Sequence, residues 1–140
     1  MSWLHYETTL AGHRASVLFD NRFASSSPPD LSELGWLGVH TRLEPGAAYW
    51  NPEETDALDT IEADLLRLCE QVSGGHAVYL RRVASYRIRE YYIYFRAGLD
   101  LTPLAPRLQV LHPGYHVEFE HKADAPWAHY SSWLAESRGV

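Results

Sequence analysis

The sequence predicts an α+β domain in which strands dominate and two main helices are inserted between them. Three observations carry that expectation. An apolar stripe with a helical period runs from Leu58 to Val72. A strand-like period of two replaces it from Ala77 to Phe95, and the same alternation returns at Tyr115, Val117 and Phe119.

Taken in order, the chain opens with two β-prone runs, Trp3 to Glu7 and Ala15 to Asp20. They are separated by Leu10-Ala11-Gly12-His13, where Gly12 offers the backbone freedom of a turn. Residues 3–20 therefore read as a hairpin. Ser25-Ser26-Ser27-Pro28-Pro29-Asp30 reads as a surface loop, because the prolines remove backbone donors and the serines bond locally. Leu31 to Gly35 reads as a helical turn. A third strand is expected over residues 36–43, where Trp36, Gly38, His40 and Arg42 alternate with Leu37, Val39, Thr41 and Leu43. Glu44-Pro45-Gly46 breaks it, and Ala47 to Trp50 leads into the first helix.

That helix is well marked. Asn51 can accept from the first free backbone N–H groups, Pro52 suits the first helical position, and Glu54 stands where a capping carboxylate belongs. Leu58, Ile61, Leu65, Leu68 and Val72 lie on one stripe, and Ser73-Gly74-Gly75 ends the element. Val78 and Leu80, a polar corner near Ser85 and the run Tyr91-Tyr92-Ile93-Tyr94-Phe95 then form a hairpin. Leu99-Asp100-Leu101-Thr102-Pro103 opens a second helix that tolerates Pro106 and ends before His112-Pro113-Gly114. Residues 115–121 make the last strand. From Asp124 the tail carries Pro126, Trp127, Tyr130, Trp133 and Leu134, whose spacing suggests a short helix over 124–135 packed back on the body. Residues 36–121 then have the βαββαβ order of a ferredoxin-like sandwich, with both helices on one face of the sheet. The hairpin precedes it and the short helix closes it, in one domain over residues 1–140.

Composition bounds the class. With 140 residues, 46% of them hydrophobic, one core suffices without a staple. Cys69 is the only cysteine, so no internal disulfide forms and a reducing compartment is expected. No signal-like start or long apolar run is present, so the expectation is a soluble cytoplasmic protein without a membrane partner. The net charge of −6 is unevenly spread. Residues 51–73 hold seven carboxylates against Arg67 alone, whereas Arg81, Arg82, Arg87, Arg89 and Arg96 face only Glu90 in residues 81–96.

Trp3 and Tyr6, Gly12, Ala15-Ser16-Val17-Leu18-Phe19-Asp20, Trp36, the helix with Glu54, Leu58, Ile61-Glu62 and Leu65, Arg89-Glu90-Tyr91-Tyr92-Ile93-Tyr94, and Asp124, Trp127, Tyr130 and Leu134 follow one another in a distinctive order. In that order and spacing, which cover nearly the whole chain, the sequence resembles the bacterial domain-of-unknown-function family DUF 695. The resemblance implies a domain found alone or upstream of one similar to the regulator of ribonuclease activity B, a ferredoxin-like protein that acts by binding an enzyme. It carries over no catalytic residue.

The chemistry-bearing residues are weighed against simpler roles. His116, Glu118 and Glu120 project from one strand face with His121 just beyond, a pattern able to converge on a metal. No HExxH or CxxC spacing supports it, and Pro113-Gly114 separates His112 from His116. A polar sheet face with cross-strand partners such as the hairpin arginines is preferred. Cys69 lies on an apolar helix side, no Gly-x-Ser-x-Gly elbow exists, and Gly74-Gly75 follows a helix instead of opening one. No catalytic residue, metal or cofactor is assigned.

The function expected is that of a non-enzymatic protein-binding inhibitor or regulator, such as an immunity protein neutralising a toxin or a modulator of a nucleic-acid enzyme. Asp59, Glu62 and Asp64 are its candidate contacts for a protein partner with a basic surface, and Arg81, Arg82, Arg87 and Arg89 form a second patch of opposite sign. The alternative is a single-stranded RNA-binding module in which Tyr92 stacks a base beside Arg89. The acidic balance and the missing Gly-aromatic strand motif weigh against it.

Overall fold

A computed structural model describes residues 3–26, 28, 30–43 and 51–139. Strands β1 (Trp3–Leu10), β2 (His13–Asp20) and β3 (Glu33–His40) come first, followed by helix α1 (Thr55–Ser73) and strands β4 (Ala77–Ser85) and β5 (Ile88–Phe95). Helix α2 (Leu104–Leu111), strand β6 (His116–Ala123) and helix α3 (Ala128–Arg138) complete the order. All six strands join one sheet in the order β1-β2-β4-β5-β3-β6, and every neighbouring pair is antiparallel. The fold is thus mixed α+β, and the opening hairpin extends the same sheet. Among the described residues no helix is long and apolar enough to cross a membrane.

The sheet is covered on both faces. Alternation along β5 sends Tyr91, Ile93 and Phe95 to one side, where they meet Leu58, Ile61, Leu65 and Leu68 of α1 and Leu104 and Leu108 of α2. Tyr94 points the other way and stacks on Trp127, with ring centroids 4.1 Å apart. Around that pair gather Phe19 of β2, Leu80 and Val83 of β4, and Tyr130 and Trp133 of α3. The tail helix is therefore a cover for the second face. Cys69, on the inner side of α1, is buried, and burial pushes its thiol up to about 12, so it stays protonated.

Three expectations need correction. The third strand spans Glu33–His40, not 36–43, and no helical turn forms over Leu31 to Gly35. Pairing on both sides decides this: Glu33 lies opposite Phe95 of β5 and Ala123 of β6. Gly35 fits because an added Cβ would come within 2.7 Å of the Phe95 ring and 3.1 Å of the Phe119 ring. Glu54 does not cap its own helix. Asn51 does accept from Glu53 N–H, at 3.0 Å, but the α-helix proper starts at Thr55 after a short 3₁₀ turn. The buried Glu54 carboxylate instead accepts from the backbone N–H groups of Arg42, at 2.7 Å, and Leu43, at 3.1 Å. It ties the segment after β3 to the start of α1. The break expected at Glu44-Pro45-Gly46 and the lead-in from Ala47 to Trp50 lie outside the described residues, as do residues 27 and 29 of the serine-proline loop.

Helix α3 is held by its tips as well as its rings. Tyr130 Oη donates to Asp20 O, at 2.8 Å, and Trp127 Nε1 donates to Leu31 O. Asp124 accepts from the N–H groups of Ala128, at 2.9 Å, and His129, at 3.1 Å, and from Tyr94 Oη, at 2.6 Å. Burial favours the neutral acid, yet these bonds, led by that from Tyr94, outweigh it and hold the Asp124 carboxyl below its ordinary range.

Two outcomes are expected. Leu65→Ala should lower unfolding free energy by about 2–5 kcal/mol in urea titrations, and Leu65→Asp should leave no cooperative transition. Because the folded-state pKa of Asp124 is depressed, its stabilisation is complete above the unfolded value of about 3.9 and fades as pH falls through the folded value. Asp124→Asn should flatten that acid limb of the stability curve, leaving a smaller loss between neutral and acidic pH.

Candidate functional site

The charges that stand apart in the sequence meet in the fold. Helix α1 lies across the β4–β5 hairpin, so Glu62 Oε1 pairs with Arg82 Nη1 at 2.9 Å and Asp59 Oδ1 with Arg89 Nη1 at 3.3 Å. Asp64 is shared between Arg67, at 2.8 Å, and the His112 ring, at 2.7 Å. Of the expected acidic contacts, Glu62 and Asp59 are thus paired with Arg82 and Arg89 of the expected basic patch, while Asp64 is taken by Arg67 and His112. Asp59 alone keeps more than half of its side chain exposed.

The arginines are also dispersed. A bulge between Tyr79 and Arg81 shifts the register of β4, so Arg82 faces α1 while Arg81 faces α3. Arg81 is buried there, pairs with Glu136 at 3.0 Å, and lies 5.2 Å and 5.1 Å from the ring centres of Tyr92 and Trp133. Arg87 sits in the two-residue turn with φ 63°. Tyr92 and Arg89 are three residues apart on one strand and so point to opposite faces, with Arg89 buried against α1. Tyr92 and Arg89, paired in the RNA expectation, therefore do not share a surface.

What remains open is the half of the second face formed by β3, β5 and β6, beside α3. The pairing stacks the residues of this face in rows: the buried Leu34 and Tyr94 with exposed Lys122, then Trp36 with Tyr92 and Glu120, Gly38 with Glu90 and Glu118, and His40 with Ile88 and His116. A shallow recess of about 770 Å³ lies over them, lined by Trp36, Tyr92, Glu118, Glu120, Lys122 and His129. Its floor is aromatic and its rim acidic.

The floor is fixed by one glycine. The Trp36 indole lies over Gly38, where an added Cβ would come within 2.7 Å of Cζ2 and Cη2. Trp36 Nε1 donates to Glu90 Oε2 at 2.7 Å, and Tyr92 Oη donates to the same oxygen at 3.3 Å. Burial first, and then the Glu90 charge, push the Tyr92 phenol up to about 12, so it remains a donor at neutral pH.

The histidines take partners other than those expected. Glu118 lies between His40 Nε2, at 3.0 Å, and His116 Nε2, at 3.3 Å, and hydrogen bonds from these rings hold its carboxyl below the ordinary glutamate range. At the border of the recess, His121 Nδ1 meets Glu33 at 2.6 Å and its ring stacks on Phe119. Strand β6 is bordered by β3 and not by the hairpin, so the arginines expected as cross-strand partners are out of reach. Sequence reasoning had not drawn in His40 and Glu90. Their alternation with Trp36, Gly38 and Tyr92 was visible, but the strand neighbours that join them were not. No protein-family model, curated protein or solved structure matches this chain.

Gly38→Ala should lift the indole off the sheet at a cost of about 1–3 kcal/mol and break its bond to Glu90. The check is the Trp36 indole N–H resonance, which should move upfield toward its solvent-exposed position while the other tryptophan signals stay in place.

Proposed function

We propose that this chain is a non-enzymatic, cytoplasmic protein-binding inhibitor or regulator, acting as an immunity protein or a modulator of a nucleic-acid enzyme would. The observation that carries the reading is the open recess: half-buried Trp36 and Tyr92 beside Glu90, Glu118 and Glu120. Half-buried aromatic side chains ringed by charge are the usual composition of a protein hot spot. The carboxylates and the net charge of −6 select a basic partner surface and raise the encounter rate with it. Asp59 adds an exposed carboxylate on the other face, so the helix contact is the lesser part of this proposal.

The fold supports the same reading. The antiparallel order β4-β5-β3-β6, with α1 and α2 in the intervening connections, fits a ferredoxin-like βαββαβ unit. Fold company of that kind gives an analogy to enzyme-binding regulators, and the recess supplies the residues to test.

The test begins with native mass spectrometry of the protein isolated gently from its own cells at low salt, to identify the partner. With that partner, Trp36→Ala should weaken binding roughly thirtyfold, equivalent to about 2 kcal/mol, and Glu120→Lys should slow association and flatten its salt dependence. Inhibition of the partner's activity should weaken in step. Unchanged affinity in both variants would overturn the recess as the docking site, and recovery of nucleic acid without protein would replace the reading with RNA binding.

A further inference from the structure

We propose that His40, His116 and Glu118 form a surface binding site for a divalent transition metal of the Zn²⁺ type, with at least one coordination position open. One ligand atom from each residue lies within 4.8 Å of the others. The two closest approaches, 3.0 Å from His40 Nε2 and 3.3 Å from His116 Nε2 to the two Glu118 oxygens, are already near the spacing of neighbouring ligands. Bonds of about 2.0–2.2 Å in a tetrahedron set ligand atoms roughly 3.4 Å apart. Only a small closing movement is needed.

The scaffold makes the cluster more than a chance meeting of exposed side chains. His40 and His116 are direct partners in the β3–β6 register, with ring centroids 4.9 Å apart, and Glu118 follows on the same face of β6. Two paired strands therefore hold all three, which is stiffer support than a loop gives. Two imidazoles and one carboxylate are a borderline donor set suited to Zn²⁺ and its neighbours and poorly suited to Mg²⁺ or Ca²⁺, which prefer oxygen alone. The neighbours across the pairing are Ile88 and Glu90 from β5, and Glu120 follows Glu118 on the same face of β6, so the immediate surroundings add carboxylates that favour a cation. Glu118 also lines the recess, so the open position faces the region proposed for partner docking. The metal site stands without that proposal, because its ligands and their test do not involve a partner.

The experiment uses the full chain, purified without a histidine tag and stripped with chelator. Zn²⁺ alone is titrated in competition with a chromophoric chelator, and Co²⁺ alone is followed by its visible absorption. One ion per chain is expected, with changed imidazole nitrogen shifts at His40 and His116 and affinity falling as pH drops below about 6.5, where protons compete. His116→Ala and Glu118→Gln, both at exposed positions, should each weaken binding at least about tenfold with the circular dichroism unchanged. Absence of binding, or binding undiminished in a His40→Ala/His116→Ala double variant, would overturn the site. Should any variant fail to fold, the nitrogen shifts of the wild-type chain decide the matter: unshifted His40 and His116 in the presence of Zn²⁺ would also overturn it.

Discussion

Strand β5 carries large apolar side chains on both faces, Tyr91, Ile93 and Phe95 on one and Tyr94 on the other, and all four are buried. Tyr91, Ile93 and Phe95 require one cover and Tyr94 another, so a single layer of helices cannot satisfy the sheet. Helices α1 and α2 supply the first cover through a leucine-rich stripe. Helix α3, with Trp127 just before it and Tyr130 and Trp133 within it, supplies the second, its rings large enough for an eleven-residue helix to cover the centre of the sheet. It does not cover the outward residues of β6, which remain exposed. The recess is thus a consequence of how much surface one short helix can bury.

Electrostatics follows the same geometry. An acidic helix placed on a basic hairpin brings opposite charges within ion-pair distance, and partly buried pairs such as Arg82–Glu62 spend their fields on each other. The polarity written along the chain is therefore weakened on the folded surface. On the opposite face Glu90, Glu118 and Glu120 are set among aromatic rings, histidines and Lys122. The bulge in β4 contributes to this division, since it turns Arg81 away from α1 and into the aromatic packing of α3.

Much of the local structure was legible. The stripe from Leu58 to Leu68, the glycine stop at Gly74, the alternation through Val117 and Phe119 and the buried rings at Trp127, Tyr130 and Trp133 all appear where periodicity places them. These signals are short-range, because a helix or strand shows its own period whatever it packs against. Glu33 to Gly35 was misread for the complementary reason. Its local pattern suits a turn, and the hydrogen bonds offered by two neighbouring strands outweigh that preference.

By itself, then, the sequence determined the mixed α+β class, the order of most elements and the buried stripe of α1, since burial patterns are carried by spacing along the chain. Tertiary structure alone decided which charges neutralise one another, that Tyr92 and Arg89 part to opposite faces, and that His40 joins His116 and Glu118. The physical reason is strand order. Side chains distant in sequence become neighbours only when β3 is inserted between β5 and β6, and no local period encodes that choice.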